Sequence, residues 1–382
     1  MMPKQILLVL TLCALTITTL TACSKPSTLT STPSSMASLL GDNAAGYTVV
    51  DKQRRISFPE DHLSHDDFRQ EWWYLTANLE TDEGEQLGLQ WTQFRVALSP
   101  KKSPEKSSEK SASHTKLTDS GWASKQIFMT HAAITTETSH LAEERWSRRH
   151  PRLADVSTDP LTIKIDDWQW TGTGADLFPA TLKVNAEKFS YQLTLETSAP
   201  YQLQGENGYS IKSADGSVAS HYYSQPFIQV SGTVAIDGVD HKVSGDAWLD
   251  REWSSQFLNK TQAGWDWFAL RLAGGSTLML FQLRGQDKPS FYSGRRMFAD
   301  GSGRNIASKD IQLQVANWHE IDSVSYPVAW NISIPSENID IRTEALNPDA
   351  RVPLSISYWE GPVIVSGSHR GEGYMELTGY EH

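Results

Sequence analysis

The chain has 382 residues, 39% of them hydrophobic and 21% charged, with a formal charge of −11, 14 tryptophans and two cysteines. It is long and apolar enough for two ordinary domains, and too acidic for a nucleic-acid footprint, which needs clustered Lys and Arg to neutralise phosphates. Two cysteines alone supply neither a Cys-based zinc cluster nor a disulfide framework.

Met1 to Cys23 starts with one basic residue, Lys4, continues as an apolar run from Ile6 to Leu20, and ends Leu20-Thr21-Ala22-Cys23. A basic start, an apolar stretch short for a bilayer span and small residues before the break read as a signal peptide over residues 1–22. The ending resembles a bacterial lipobox, which implies that Cys23 is acylated as the first mature residue and that Cys13 is discarded. Ser24, rather than Asp, follows, as in lipoproteins sorted onward, so the expected location is the outer membrane, facing the periplasm. An acidic body is not drawn to anionic lipid, so the acyl chains would hold it there. Residues 23–45 are rich in Ser, Thr and Pro and read as a flexible tether.

Beyond the tether, helical periodicity is scarce and short alternating segments are many. A turn is offered at Thr81 to Glu85, and Lys101 to Lys116, within a Ser- and Lys-rich stretch at 100–118, reads as a solvated loop. Ser139 to Arg149 is the one helical candidate, brief and polar. Tyr191, Leu193 and Leu195 alternate with polar neighbours, as do Leu278, Leu280 and Gln282, and Ile311, Leu313 and Val315. The clearest signal is Ile228 to Ala247, two alternating runs joined by Asp237-Gly238, a two-residue hairpin turn. Further turns are offered at Ala299 to Arg304 and His369 to Gly373. The fold class is all-β, built as sandwiches or barrels.

A weak internal repeat divides the body. Trp72-Trp73-Tyr74-Leu75-Thr76-Ala77-Asn78-Leu79 can be laid over Trp265-Asp266-Trp267-Phe268-Ala269-Leu270-Arg271-Leu272, after which Gln93-Phe94-Arg95 falls on Gln282-Leu283-Arg284. Two matching hairpins suggest two related β domains, expected at 46–244 and 245–382.

The chain has no Gly-x-Ser-x-Gly elbow, phosphate loop or dinucleotide fingerprint. His319-Glu320 lacks the second His of a zincin helix, and His62 and His65 beside Asp66 and Asp67 read as a solvated loop rather than a metal site. What remains is a set of acids among aromatics: Glu71 before Trp72-Trp73-Tyr74, Asp250-Arg251-Glu252-Trp253 after Trp248, Asp266 between Trp265 and Trp267, and Glu360 after Tyr358-Trp359. An acid in an apolar pocket is harder to ionise, so it can hold a proton at neutral pH and pass it to an alkene, with aromatic faces stabilising the cation. The competing reading is structural: Glu71, Asp250 and Glu252 pair with Arg69, Arg251 or other arginines, and most tryptophans are core.

Seven segments, in order, carry a resemblance. They are Glu71 to Tyr74, His131 to Thr135, Tyr222 to Pro226, Trp248 to Ser254, Gly264 to Trp267, Tyr358 to Gly361 and Gly371 to Tyr380. From about Phe58 to the C-terminus the sequence resembles the AttH and carotenoid 1,2-hydratase (hydroxyneurosporene synthase) family. The resemblance implies two packed lipocalin-like antiparallel β-barrels and no cofactor or metal. It also implies addition of water to an isoprenoid C=C bond, and, for the secreted branch, an ABC exporter as partner. In the hydratases the segment matching Leu249 to Trp253 carries His on either side of the Asp, where this chain has Leu249 and Arg251. An arginine cannot shuttle protons at neutral pH, so an acid–base partner of Asp250 is expected to be missing.

Three readings follow. The first is a lipid-anchored lipocalin-like protein holding an apolar lipid or isoprenoid ligand, with Trp72, Trp73, Tyr74, His131, Tyr222, Trp253, Trp265 and Trp267 as binding residues. The second is a cofactor-free hydro-lyase with Asp250 as proton donor, Glu252 or Asp266 orienting water, and Trp253, Trp265 and Trp267 facing the cation. The third is a non-catalytic assembly role beside an exporter.

Overall fold

The computed structural model describes residues 34–35, 44–100, 124–256 and 262–380. The expected signal, Cys23, most of the tether and the Ser- and Lys-rich loop from 101 onward lie outside them. The described residues contain no α-helix, only 3-10 turns at Glu60–His62, Ser308–Asp310 and Pro335–Glu337.

After a two-residue strand, β1 (Ser34–Ser35), a first sheet takes β2 (Gln70–Thr81), β3 (Gln86–Ala97), β4 (Gln126–Thr135), β5 (His140–Arg148), β6 (Ala154–Ser157), β7 (Thr162–Ile165), β8 (Trp168–Gly172), β9 (Ala180–Asn185), β10 (Phe189–Glu196), β11 (Gln202–Leu203), β12 (Tyr209–Ile211), β13 (Ala219–Ile236) and β14 (Val239–Ser254). A second takes β15 (Gln262–Leu272), β16 (Ser276–Gly285), β17 (Phe291–Phe298), β18 (Gly303–Ile306), β19 (Gln312–Ile321), β20 (Val324–Ile334), β21 (Ile339–Ala345), β22 (Arg351–Pro353), β23 (Ile356–Gly367) and β24 (Gly371–Leu377). The main path of the first runs β5-β4-β3-β2-β14-β13-β10-β9-β8-β7-β6, and that of the second β18-β17-β16-β15-β24-β23-β21-β20-β19. Both are antiparallel apart from β1, which runs parallel to β23. One sheet rolls into a nearly closed barrel and the other into a half-barrel.

The alternating segments become strands with one buried face, as in β10, where Phe189, Tyr191, Leu193 and Leu195 turn inward. Asp237 and Gly238 both have positive φ, 49° and 81°, which a two-residue turn of the hairpin type requires, and they join β13 to β14. The repeat is structural too: β2–β3 and β15–β16 are equivalent hairpins, the third and fourth strands from one end of each sheet's main path.

Three expectations change. Ser139 to Arg149 is not a helix: it supplies β5, the end strand of the first sheet, paired only with β4. An edge strand need bury little, and Glu143, Glu144, Arg145 and Arg148 give it the charges that discourage further pairing. A boundary after residue 244 would cut β14, which pairs with β2 as far as Ser254; the second sheet starts only at Gln262. Nor are His62 and His65 in a solvated loop. They are buried with Asp61 against Trp73, Tyr223 and Trp253 of the first barrel's core.

Candidate functional site

Strand alternation sorts the acid-and-aromatic motifs onto two faces. On β14, Leu249 and Trp253 point into the first barrel's core, and Arg251 with them. Trp248, Asp250 and Glu252 point the other way, toward the second barrel. On β2 the inward set is Trp73 and Leu75, the outward set Trp72 and Tyr74. On β15, Trp265 and Trp267 face the first barrel, whereas Phe268 and Leu270, in step with Asp266, belong to the second barrel's core. The central strands therefore bury both faces, one in their own barrel and one between barrels.

Between the barrels lies a cavity of about 60 Å³, room for about four waters. The first sheet lines it with Trp72, Tyr74, Phe94, Tyr222, Asp250 and Glu252, and the second with Trp265, Trp267, Phe281, Leu283, Tyr358 and Glu376. Lys212, immediately after β12, completes the wall.

Three carboxyl groups meet there. Asp250 accepts hydrogen bonds from the Tyr222 hydroxyl at 2.5 Å, the Trp248 indole at 2.7 Å and the Ser224 hydroxyl, and no cation is among its partners in the described residues. Burial pushes it up to about 7 against the pull of those three donors, and the charge of Glu252 adds to the rise. Glu252 accepts from Ser220 and pairs with the Lys212 ammonium at 2.8 Å. That ammonium also lies 4.7 Å from the Tyr222 ring centre and 4.4 Å from that of Phe281. Glu376 is raised to about 8 by burial and by the charges of Asp250 and Glu252, opposed by the Trp265 indole. Across the ladder from it is Glu360, raised well above the usual carboxylate range by burial and by the neighbouring Glu376. The Tyr74 hydroxyl donates to one oxygen of Glu360 at 2.6 Å. Protonatable carboxyls, hydroxyls and one ammonium set in aromatic walls can hold and move protons beside an apolar guest.

The structure gathers Trp72, Tyr74, Tyr222, Asp250, Glu252, Trp265 and Trp267 of the sequence candidates at this cavity and excludes the rest from its wall. Asp266 lies on the far face of β15, bound to Arg284 and to the Tyr380 hydroxyl at 2.8 Å. Trp73 and Trp253 belong to the first barrel's core, the one under the Arg251 guanidinium and the other stacked on His65 at 4.0 Å. His131 sits behind the wall, its Nδ1 2.8 Å from the Tyr358 hydroxyl, and burial depresses its proton affinity. The physical reason in each case is the two-residue period: a motif of consecutive residues is split between faces.

The same period settles Arg251. With Arg95 it holds Glu71, which also accepts from the backbone N–H of His65 at 2.9 Å and lies 3.0 Å from its Nδ1. Burial disfavours the Glu71 charge, but the two guanidiniums outweigh it and keep the carboxyl well below its usual range. Positions 249 and 251 face away from Asp250, so a histidine at either would sit in the first barrel's core rather than beside the cavity acid. The expected pairing with arginine holds for Glu71; Glu252 is paired instead with a lysine, Lys212, and Asp250 with no cation among the described residues.

Lys212, Phe94, Phe281, Leu283, Tyr358 and Glu376 complete the site without having been singled out for it. Tyr358 and Glu376 lie inside recurring segments, and Phe94 and Leu283 are matched positions of the repeat. Lys212-Ser213-Ala214-Asp215-Gly216 reads as an exposed turn, and nothing in it announces a buried ammonium.

A fold of two joined lipocalin-like sheets with a carboxyl-bearing cavity between them defines the class. The AttH-like family model matches residues 49–380, and the chain belongs to that family. A Nitrosomonas europaea protein assigned as a candidate AttH is similar at 32% identity and a TM-score of 0.74, over 87% of this chain and 99% of the other. The kievitone hydratase of Nectria haematococca has the same fold at 12% identity and a TM-score of 0.64, over 88% of this chain and 97% of the other. No curated protein matches.

Proposed function

We propose that the protein takes the unsaturated end of a small apolar molecule, an isoprenoid or lipid, into the cavity between its barrels and adds water across the C=C bond by acid–base catalysis without a cofactor. The observation that carries this reading is Asp250: a buried carboxyl with no cationic partner among the described residues, its proton affinity raised to about 7, on a largely aromatic wall. A cavity meant only to hold an apolar guest would not keep Asp250, Glu252 and Glu376 together, since each buried carboxyl costs solvation. The hydratase activity named for the Nectria structure supports the reaction class. Trp72, Trp265 and Trp267 supply faces for a developing cation.

The Leu20-Thr21-Ala22-Cys23 motif supports anchoring through Cys23 at the periplasmic face of the outer membrane. There the protein would meet lipid-derived molecules and, as the family resemblance implies, an ABC exporter. The test is incubation with an acyclic terpenoid alkene in ¹⁸O-water. Label is expected in the product with wild type and absent with Asp250→Asn; label that persists in that variant would overturn the mechanism.

A further inference from the structure

The two halves of the cavity answer to each other strand by strand. Trp72 and Tyr74 on β2 correspond in the repeat to Trp265 and Trp267 on β15, and Phe94 to Leu283; all six line the cavity. One strand outward, β14 lies beside β2 as β24 lies beside β15. Asp250 stands opposite Tyr74, and Glu376 opposite Trp267, so the two carboxyls occupy equivalent register positions. A further strand outward, Ser224 faces Asp250 as Glu360 faces Glu376. Two residues before these come Tyr222 and Tyr358.

We propose that Glu376, the second barrel's counterpart of Asp250, is a catalytic residue of the same site and donates the proton to the alkene, while Asp250 receives the proton from water. The assignment rests on the hydration reading above and divides its labour. The hydrogen-bond inventory separates the two roles. Asp250 has both oxygens filled by three donated hydrogen bonds, the surroundings of an ionised carboxylate. Glu376 faces aromatic rings, with the Trp265 indole as the side-chain donor acting on it. Its neighbour Glu360 takes one hydroxyl from Tyr74, and its other oxygen, Oε2, is buried with no hydrogen-bond partner among the described residues. Two adjacent carboxyls, Glu360 buried and Glu376 half-buried, resist being ionised together, so the pair keeps a proton beside the cavity. The ordering of the two proton affinities, about 8 for Glu376 and about 7 for Asp250, has the same sense.

In the step, the π electrons of the alkene take the Glu376 proton to form a C–H bond, leaving a cation on the neighbouring carbon. A water lone pair closes the C–O bond there, and Asp250 takes the proton released from that water. The sum is one water added. Return of the Asp250 proton to Glu376 through cavity water restores the starting state. Tyr74 and Glu360 are positioning residues.

Infrared spectra of the full chain at neutral pH test the assignment apart from turnover. The C=O stretch of protonated carboxyls is expected to weaken in Glu376→Gln, return in Glu376→Asp and persist in Asp250→Asn; circular dichroism verifies that each variant is folded. In the ¹⁸O assay, Glu376→Gln is expected to lose about 100-fold or more of label incorporation. A band untouched by Glu376→Gln and lost with Asp250→Asn would overturn the assignment, as would unchanged turnover in Glu376→Gln. Wild type without turnover would remove the hydration reading and with it the donor role, while the band would still report where the proton resides.

Discussion

Asp250→Asn should change the pH dependence of stability in a calculable way. The Asp250 carboxyl, ordinarily near 3.8, stands at about 7 in the folded chain. Between these values the folded state keeps a proton that the unfolded state has released, so wild-type stability falls as pH rises from about 4 and levels off beyond about 7. Three units at about 1.4 kcal/mol each make up to about 4 kcal/mol of lost stability. Asparagine does not titrate, so the variant lacks this component. Glu376, raised to about 8, contributes a slope of the same sign in both proteins, which is why the difference is the quantity to measure. Urea unfolding of wild type and variant from pH 4 to 8 should show the variant gaining on wild type as pH rises, whatever their order at pH 4. Parallel curves would refute the reasoning. A wild type that gains on the variant with rising pH would show Asp250 to be a stabilised ion.

Two further outcomes are expected. Glu71→Gln leaves the Arg95 and Arg251 guanidiniums buried without their counter-charge and should cost about 3–5 kcal/mol, a fall in Tm of about 5–10 °C; calorimetry at pH 7 checks it, and a Tm within 1 °C of wild type would show that the network contributes nothing. Because Glu71 is held below its ordinary range, its contribution is present above about pH 4 and fades as pH falls, so the variant's deficit should shrink in acid. Cys23→Ser, produced with its own leader in a Gram-negative host, should move the protein from the membrane fraction to the soluble one; retention in the membrane would exclude Cys23 as the anchor.

Much of the fold was legible because antiparallel strands with one wet face write their period into the sequence. Phe189 to Leu195 and the Asp237-Gly238 turn are plain examples. Legibility fails where both faces are buried: from Trp248 to Trp253 every residue is enclosed, so the sequence shows a block of acids and aromatics with no period by which to divide them. That is why Asp250 and Arg251 read as partners when the strand sets them back to back. It is also why Asp266, between two tryptophans that do line the cavity, looked like part of it. Lys212 was hidden for another reason: its partner Glu252 is remote in sequence, and only the path from β12 into β13 brings them together. The repeat was the most informative signal, since its matched positions Trp72 and Trp265, Tyr74 and Trp267, and Phe94 and Leu283 line one cavity from opposite sides.

The segment before β2 fills the first barrel from within. Leu63 and Phe68 pack on its core, His65 stacks on Trp253, and Arg251 reaches the Leu63 carbonyl at 2.6 Å. In effect the chain serves as its own occupant, a covalently attached guest that cannot diffuse away. A barrel so corked has given up the usual role of a vessel and become a wall, and under the proposed function the place for a visiting molecule is a seam that neither barrel possesses alone. Exchange of one barrel between relatives would therefore replace half of the seam's chemistry at a stroke, carboxyl included, while leaving each barrel's own core intact.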